Sequence, residues 1–496
     1  MSQHNLYLAY AEHFPSADAE FLRTETDRRE TYGDLDLRSA QLAHCLLQQG
    51  LKGGDRVTVQ CDKSPEFIYL YLACLRAGLV FHPLNPGYTA AEVEYFVQDA
   101  APGLIIGDSS TLEGLASAAS RCGVGRVMEL AALADSSRNA PGTFATVTCR
   151  PDDLAALLYS SGTTGKPKGI RLSHHNLAFN ARALSQAWGF TAEDVLLHLL
   201  PLFHVHGLFI ALGCTLMSGS RMLFGAKFEV GQALAWLPRS TVMMGVPTYY
   251  TRLLASPDLN RDLVQGIRVF TSGSAPLLAE TWHAFRERTG HEVLERYGMT
   301  ETSIIATNPL QGERRPGSVG PALAGVEIRI VDDADEVLPE GTTGHVQVRG
   351  ESVFKGYWGM PEKTRADILP EGWFRTGDDG VLDAQGYLSL VGRAKDLIIT
   401  GGLNVYPSEV ETVLDEVPGV LESAVIGLPH ADFGEQVVGV VVLKPGATWD
   451  EQAARSHLRA QLAAFKCPKL YRVVPELPRN AMGKVQKNLL RAANST

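Results

Sequence analysis

Eleven residues, Tyr159-Ser-Ser-Gly-Thr-Thr-Gly-Lys-Pro-Lys-Gly169, hold three glycines, four aliphatic hydroxyls and two lysines, directly after the apolar run Leu154-Ala-Ala-Leu-Leu158. Glycines let successive backbone N–H groups curl around an anion without steric penalty. Hydroxyls and ammonium groups add donors and positive charge. The chemistry this suits is polyphosphate binding, which points to a nucleotide-using enzyme. A P-loop fits poorly, since it needs four residues between its glycines, then Lys followed by Ser or Thr at the start of a helix. Here Thr163 and Thr164 alone separate Gly162 from Gly165, and Lys166 precedes Pro167. Gly169-Ile-Arg-Leu172 reads as a second short strand, with Ser173 as N-cap of a helix opening at His174. The expected arrangement is strand, glycine loop, strand.

Further segments carry reactive side chains in a definite order. Pro201-Leu-Phe-His204-Val-His206-Gly207 sets two imidazoles beside an aromatic ring in an apolar run. Ser272-Gly-Ser274-Ala275-Pro276 follows a predicted strand, and Glu295-Arg296-Tyr297-Gly298-Met299-Thr300-Glu301 follows another, Val293-Leu294. Trp373-Phe-Arg-Thr376-Gly-Asp378 and Gly392-Arg393-Ala-Lys395-Asp396 come next, then Pro478-Arg-Asn-Ala-Met-Gly483-Lys484-Val-Gln-Lys-Asn488 near the end.

With the glycine loop, these segments resemble the acyl-adenylate-forming superfamily of acyl-CoA synthetases, peptide-synthetase adenylation domains and luciferases. The resemblance runs from about residue 28 to the end. It implies a carboxylate that attacks the α-phosphorus of ATP to give an acyl-AMP and pyrophosphate, and then a thiol that displaces AMP. Both steps redistribute negative charge, so catalysis rests on placed cations and donors. By resemblance, Ser160, Ser161, Gly162, Thr163, Thr164, Gly165, Lys166 and Lys168 hold the β- and γ-phosphates. Thr300 touches the α-phosphate, and Glu301 binds Mg²⁺. Tyr297 stacks on adenine, where an aromatic face suits a flat base. Ser274, Ala275, Pro276, Glu295, Arg296, Gly298 and Met299 complete the nucleotide site. Asp378 accepts both ribose hydroxyls, and Arg393 reaches ribose or phosphate. Lys484 contacts the attacking carboxylate, and His204 joins Lys484, Thr300 and Glu301 as catalytic. Lys395 serves as ATP contact and as the hinge of a C-terminal lid. Gly401 and Gly402 admit the pantetheine of CoA.

Which acid is activated depends on the pocket. The combination of His204-Val-His206-Gly, Arg252 and Arg296-Tyr-Gly-Met-Thr-Glu-Thr resembles the malonyl-CoA synthetase branch of the superfamily. A dicarboxylate leaves its second carboxylate charged at the pocket end, and a buried charge without a partner is costly. A guanidinium offers a planar, bidentate match. The resemblance therefore implies that Arg252, with Ser274 and His206, binds malonate and admits methylmalonate. Taken alone, Arg252 reads as a helix-surface arginine and Lys484 as a solvated cation. The competing expectations are another short-chain or oxalate acyl-CoA synthetase, or a stand-alone amino-acid adenylation domain. The ammonium of an amino acid calls for an acidic group, and the loop where the family places one carries no carboxylate.

The elements that must position these residues follow from periodicity. Up to about residue 310, helical patterns alternate with short apolar runs such as Arg56–Gln60, Gly103–Gly107, Thr241–Met244 and Arg268–Thr271. This alternation predicts layered α/β architecture. From about 316 to 394, period-two runs such as Val326–Val331 and His345–Arg349 predict a β-rich subdomain. The remainder, with helices expected over 408–414 and 451–465 and a buried strand over 437–443, reads as a small α+β unit. The expected domains are residues 1–394, binding ATP and acid, and a mobile lid of residues 395–496.

The chain has 496 residues, 45% hydrophobic and 20% charged, which exceeds one hydrophobic core. Its formal net charge of −10 disfavours a nucleic-acid or anionic-membrane binder. Seven scattered cysteines without a C-x-x-C pair read as small core residues in a reducing compartment. The apolar stretch from Val195 to Met217 is interrupted by His198, Pro201, His204, His206 and Gly207, so a buried segment is expected rather than a membrane span. The N-terminus shows neither a signal peptide nor a basic import pattern, which gives a cytoplasmic expectation. Malonate, ATP and CoA are the expected small-molecule partners, and the expected oligomeric state is monomer or weak dimer.

Overall fold

The computed structural model describes residues 4–160, 167–275, 277, 279–393, 398–405, 407–478 and 485–494. The architecture is mixed α/β, and the chain divides into two compact units. The first comprises residues 1–86, 97–158 and 169–392, and the second comprises 87–96, 159–168 and 393–496.

Two sheets of mainly parallel strands dominate the larger unit. In one, the strands Ser303–Thr307, Leu294–Met299, Val269–Ser272, Val242–Gly245, Val195–His198, Arg221–Phe224, Glu20–Thr24 and Arg29–Thr31 lie side by side in that order. The pairings at the two edges are antiparallel and the interior ones parallel. The other runs Val127–Glu129, Leu104–Gly107, Arg56–Gln60, Val80–Pro83, Leu154–Ser160, Lys168–Ser173. Every residue of Val195–His198, Val242–Gly245 and Val269–Ser272 is buried. That explains why these strands read as continuous apolar runs: helices cover both faces of a parallel sheet. A third, antiparallel sheet of Val326–Val331, Gly344–Gly350, Phe374–Leu382 and Leu388–Arg393 matches the predicted β-rich region.

The glycine loop joins two strands, Leu154–Ser160 and Lys168–Ser173, as the sequence predicts. Ser173 caps the helix His174–Ala187 with a full capping box, its side chain accepting from the Asn176 N–H. The 195–217 stretch is a strand, a loop, a π-helix over His206–Ala211 and a short α-helix, Leu212–Ser218. Among the described residues no helix is long and apolar enough to cross a membrane. None of the seven cysteines is joined in a disulfide, and all but Cys122 are buried.

The smaller unit contains a five-stranded sheet built on the long pair Val420–His430 and Gly434–Leu443, with the helices Pro407–Asp415 and Glu451–Gln461 beside it. The second helix stops four residues before the predicted end, where Leu462 turns extended at ψ 148°. This unit also gathers residues 87–96 and 159–168, which periodicity assigns to the first domain. Lys466, 2% exposed, explains part of this: its Nζ lies 2.9 Å from Glu92 and 2.7 Å from Glu409.

Candidate active site

Ligands of open parallel sheets bind beyond the carboxyl ends of the strands. His198, Gly245 and Ser272 are the last residues of three such strands, which neighbour one another in the sheet. The segments that follow them carry His204 and His206, Arg252, and Ser274. Arg296 lies on the next strand, Leu294–Met299.

Two of these side chains meet, and Arg296 stands near enough for its charge to act on His206. His206, 2% exposed, has its Nδ1 3.3 Å from the Ser274 hydroxyl. Ser274 sits in the left-handed region at φ 70°, where a non-glycine residue is strained and which is common at functional sites. Arg296 is 5% exposed, and its guanidinium lies flat against Gly273, so that a Cβ there would stand 2.3 Å from Arg296 Cζ. Burial pushes its pKa down to about 9, which leaves it cationic at neutral pH. Among the described residues, Arg296 Nε and Nη2 and His206 Nε2 have no hydrogen-bond partner. Burial first, and then the Arg296 charge, lower the His204 imidazole to about 4 and hold His206 well below the ordinary histidine value. Both rings are therefore neutral donors or acceptors at pH 7. His204 Nδ1 accepts from the His206 N–H at 3.3 Å, which fixes its proton on Nε2. The arrangement is a buried cation with unfilled donors beside two neutral imidazoles and a hydroxyl. It suits an anionic group.

Arg252 is half-buried on the helix Pro247–Ala255. It shares a helix face with Tyr249, three residues earlier, whose hydroxyl donates to the Leu199 carbonyl at 3.1 Å. Tyr250, on the adjoining face, is fully buried, donates to the Thr271 carbonyl at 2.6 Å, and feels the Arg296 charge. Sequence reasoning missed Tyr250 and Gly273. The Ser-Gly-Ser-Ala run carried the signal for Gly273, and Tyr250 gave none beyond an apolar helix face.

The nucleotide residues sort differently. Arg296-Tyr297-Gly298-Met299 does not follow a strand; it is the strand, paired antiparallel with Ser303–Thr307. Tyr297, 7% exposed, donates its hydroxyl to Asp378 Oδ2, and Asp378 is 2% exposed on Phe374–Leu382. The residues expected at adenine and at ribose are thus in direct contact. Glu295 is buried, accepts the Gly317 N–H at 3.2 Å, and is pushed up to about 7 by desolvation. Gly298, Met299 and Thr300 follow in the half-buried hairpin, and Glu301 is a buried carboxylate, 6% exposed. Ala275 is half-buried beside Ser274.

In the smaller unit, Ser160 and the buried Lys168 flank the glycine loop. The loop's first flank is held by Tyr159 packing on Phe96, ring centroids 4.9 Å apart, and its second by Tyr95 donating to the Pro167 carbonyl at 2.7 Å. Gly401 and Gly402, at φ 58° and 79°, form the two-residue loop of the hairpin between Ile398–Thr400 and Leu403–Val405. Positive φ at both positions is the type I′ requirement, a structural reason for the glycine pair in addition to close approach by a ligand. Ser161, Gly162, Thr163, Thr164, Gly165, Lys166, Pro276, Lys395, Lys484 and the Arg393 side chain lie outside the described residues.

The AMP-binding enzyme family model matches residues 9–358, and the AMP-binding enzyme C-terminal domain matches residues 409–484. A mitochondrial malonate–CoA ligase, ACSF3 of Mus musculus, is 36% identical over 93% of this chain and 86% of its own length. The crystal structure of ATP-bound MatB from Rhodopseudomonas palustris is 47% identical, with a TM-score of 0.79 over 100% of this chain and 99% of the other. A malonyl-CoA ligase ternary product complex with methylmalonyl-CoA and AMP bound is 34% identical, with a TM-score of 0.85 over 95% of this chain and 100% of the other.

Proposed function

Because this chain belongs to the AMP-binding enzyme family and is an AMP-forming acyl-CoA synthetase, we propose that it condenses malonate with CoA through malonyl-AMP, with methylmalonate as a second substrate. The observation that carries the choice of acid is Arg296: a buried guanidinium with unfilled donors, grouped with His206 and Ser274. An uncompensated buried cation is expensive, and the second carboxylate of a diacid relieves that cost bidentately. Arg252 supplies further positive charge from the neighbouring helix. The named activities of the relatives support the same reading.

In this reading the near carboxylate of the acid attacks the α-phosphorus of ATP, and pyrophosphate leaves. The CoA thiol then attacks the acyl carbon, and AMP leaves. The residues Ser160–Lys168 would hold the departing phosphates, Thr300 and His204 would flank the reacting centre, and Lys484 would steady the attacking carboxylate. Tyr297 and Asp378 would hold the nucleoside. Glu301 offers the hard oxygen that Mg²⁺ takes alongside substrate phosphates; when bound, Mg²⁺ neutralises charge on the triphosphate. Gly401 and Gly402 would line the pantetheine path once the lid, residues 395–496, turns about Lys395.

Pyrophosphate release with ATP, CoA and Mg²⁺ tests the acid. The panel is malonate, methylmalonate, oxalate, acetate, octanoate, an amino-acid mixture, and sulfoacetate, which replaces the second carboxylate by a sulfonate. Malonate is expected to give the highest kcat/KM. Removing one member of a buried charge pair costs about 2–5 kcal/mol, so Arg296→Met should lower malonate kcat/KM by about 30-fold or more while the KM for ATP holds. Arg252→Leu is the companion variant, expected to lose malonate and to gain a short monocarboxylate. A preference for acetate or octanoate, or full malonate activity in Arg296→Met, overturns the diacid reading.

A further inference from the structure

The π-helix His206–Ala211 is six residues long, and such wide turns are rare and concentrate at functional sites. The Leu212 N–H closes it by donating to the Gly207 carbonyl. The same carbonyl receives a second hydrogen bond, from His198 Nε2 at 3.0 Å. A carbonyl can only accept, so His198 carries its proton on Nε2 and its Nδ1 is left as an acceptor. Lys63 fills that role: its Nζ is 2.9 Å from His198 Nδ1 and 2.8 Å from the His198 carbonyl. Whether ammonium or neutral amine, the lysine nitrogen has protons to donate to both of these acceptors. The chain of donors therefore has one direction, from Lys63 to His198 to the Gly207 carbonyl, with no alternative tautomer.

The anchor of this chain is rigid. His198 is fully buried at the end of Val195–His198, a strand paired on both sides, with Phe224 its partner in register. Lys63 lies 4.4 Å over the Phe224 ring. Among the described residues both hydrogen bonds of Lys63 go to His198, and burial holds its pKa well below the ordinary lysine value. At the other end Gly207 leaves no slack, since a Cβ there would stand 2.0 Å from the Pro201 carbonyl oxygen. His206, adjacent to Gly207, is the residue this anchoring aims.

We propose that Lys63 and His198 are positioning residues: a single-tautomer relay that pins the Gly207 carbonyl in the π-turn and so sets His206 against the distal anionic group of the bound acid. Neither side chain touches substrate. The inference rests on the reading of His206 as part of the acid pocket.

The test measures KM for malonate, KM for ATP, kcat and melting temperature in wild type, Lys63→Met, His198→Leu, His198→Gln and His206→Ala. Misaiming a substrate-contacting group by a fraction of an ångström to an ångström costs about 10- to 100-fold, so Lys63→Met and His198→Leu should raise malonate KM by at least about tenfold with ATP KM unchanged. Glutamine can donate from its amide nitrogen and accept at its oxygen, so His198→Gln should recover most of that loss. The relay is overturned if Lys63→Met and His198→Leu shift only the melting temperature or raise both KM values alike, or if His198→Gln is as damaging as His198→Leu. Should His206→Ala leave malonate KM unchanged, the acid-pocket reading itself fails. Should His206→Ala raise it while Lys63→Met does not, the relay alone fails.

Discussion

Arg296 and Tyr297 are neighbours in sequence and read there as one nucleotide motif. On a strand, successive side chains point to opposite faces, and here Arg296 goes to Gly273 while Tyr297 goes to Asp378. Residue types identified His206, Ser274 and the arginines as candidates, but they did not say which arginine is buried. The contact of Arg296 with Gly273 gives a sharp prediction. Gly273 is not among the residues at positive φ, so alanine is tolerated by the backbone and the effect of Gly273→Ala falls on the guanidinium. Displacing that group should raise malonate KM by about tenfold or more with little change in ATP KM, measured by pyrophosphate release. Unchanged malonate KM would remove Gly273 as the floor under Arg296.

At the scale of elements, the reading succeeded where a local rule fixes the answer. Ser173 was legible as an N-cap because the residue type and the apolar turn after it are local signals, and the capping box with Asn176 is present. Ser173→Ala should cost about 1 kcal/mol of stability, read from the midpoint of denaturant unfolding; a change within error would mean that Asn176, which also donates to the Glu351 and Val353 carbonyls, holds the helix start alone. The strand Leu294–Met299 was legible only in its first residue. Gly298 is expected after the strand, yet it lies in it, where the facing Ser303 carbonyl oxygen comes within 1.9 Å of where a Cβ would be and leaves room for glycine alone. Close approach of a partner strand leaves no trace in local periodicity. The Gly401–Gly402 pair is the converse case: expected as room for pantetheine, it also forms the turn of a hairpin.

Across the whole chain, distant segments decide both the division into units and the response to acid. His174 Nδ1 accepts the Leu6 N–H at 3.1 Å across 168 residues, which requires a neutral imidazole. Burial lowers its pKa to about 4, against about 6.5 when unfolded. Below pH 6.5 the unfolded chain binds a proton that the folded one refuses, so this residue contributes nothing above that pH and destabilises progressively down to about pH 4. At pH 5 the effect is about 2 kcal/mol. Replacing His174 by glutamine should therefore flatten the fall in unfolding free energy between pH 7 and pH 5; an unchanged slope would assign the acid sensitivity elsewhere. The Lys466 bridge to Glu92 and Glu409 acts at the same scale, joining residues 374 and 57 apart in sequence. By itself the sequence determined the reaction family, the alternation of helices with buried strands and the glycine loop between two strands, because each is written in short-range residue order. Which strands neighbour one another, which arginine sits uncompensated beside His206, and which early segments join the C-terminal unit were decided by tertiary structure alone, since pairing and burial depend on contacts between residues far apart in the chain.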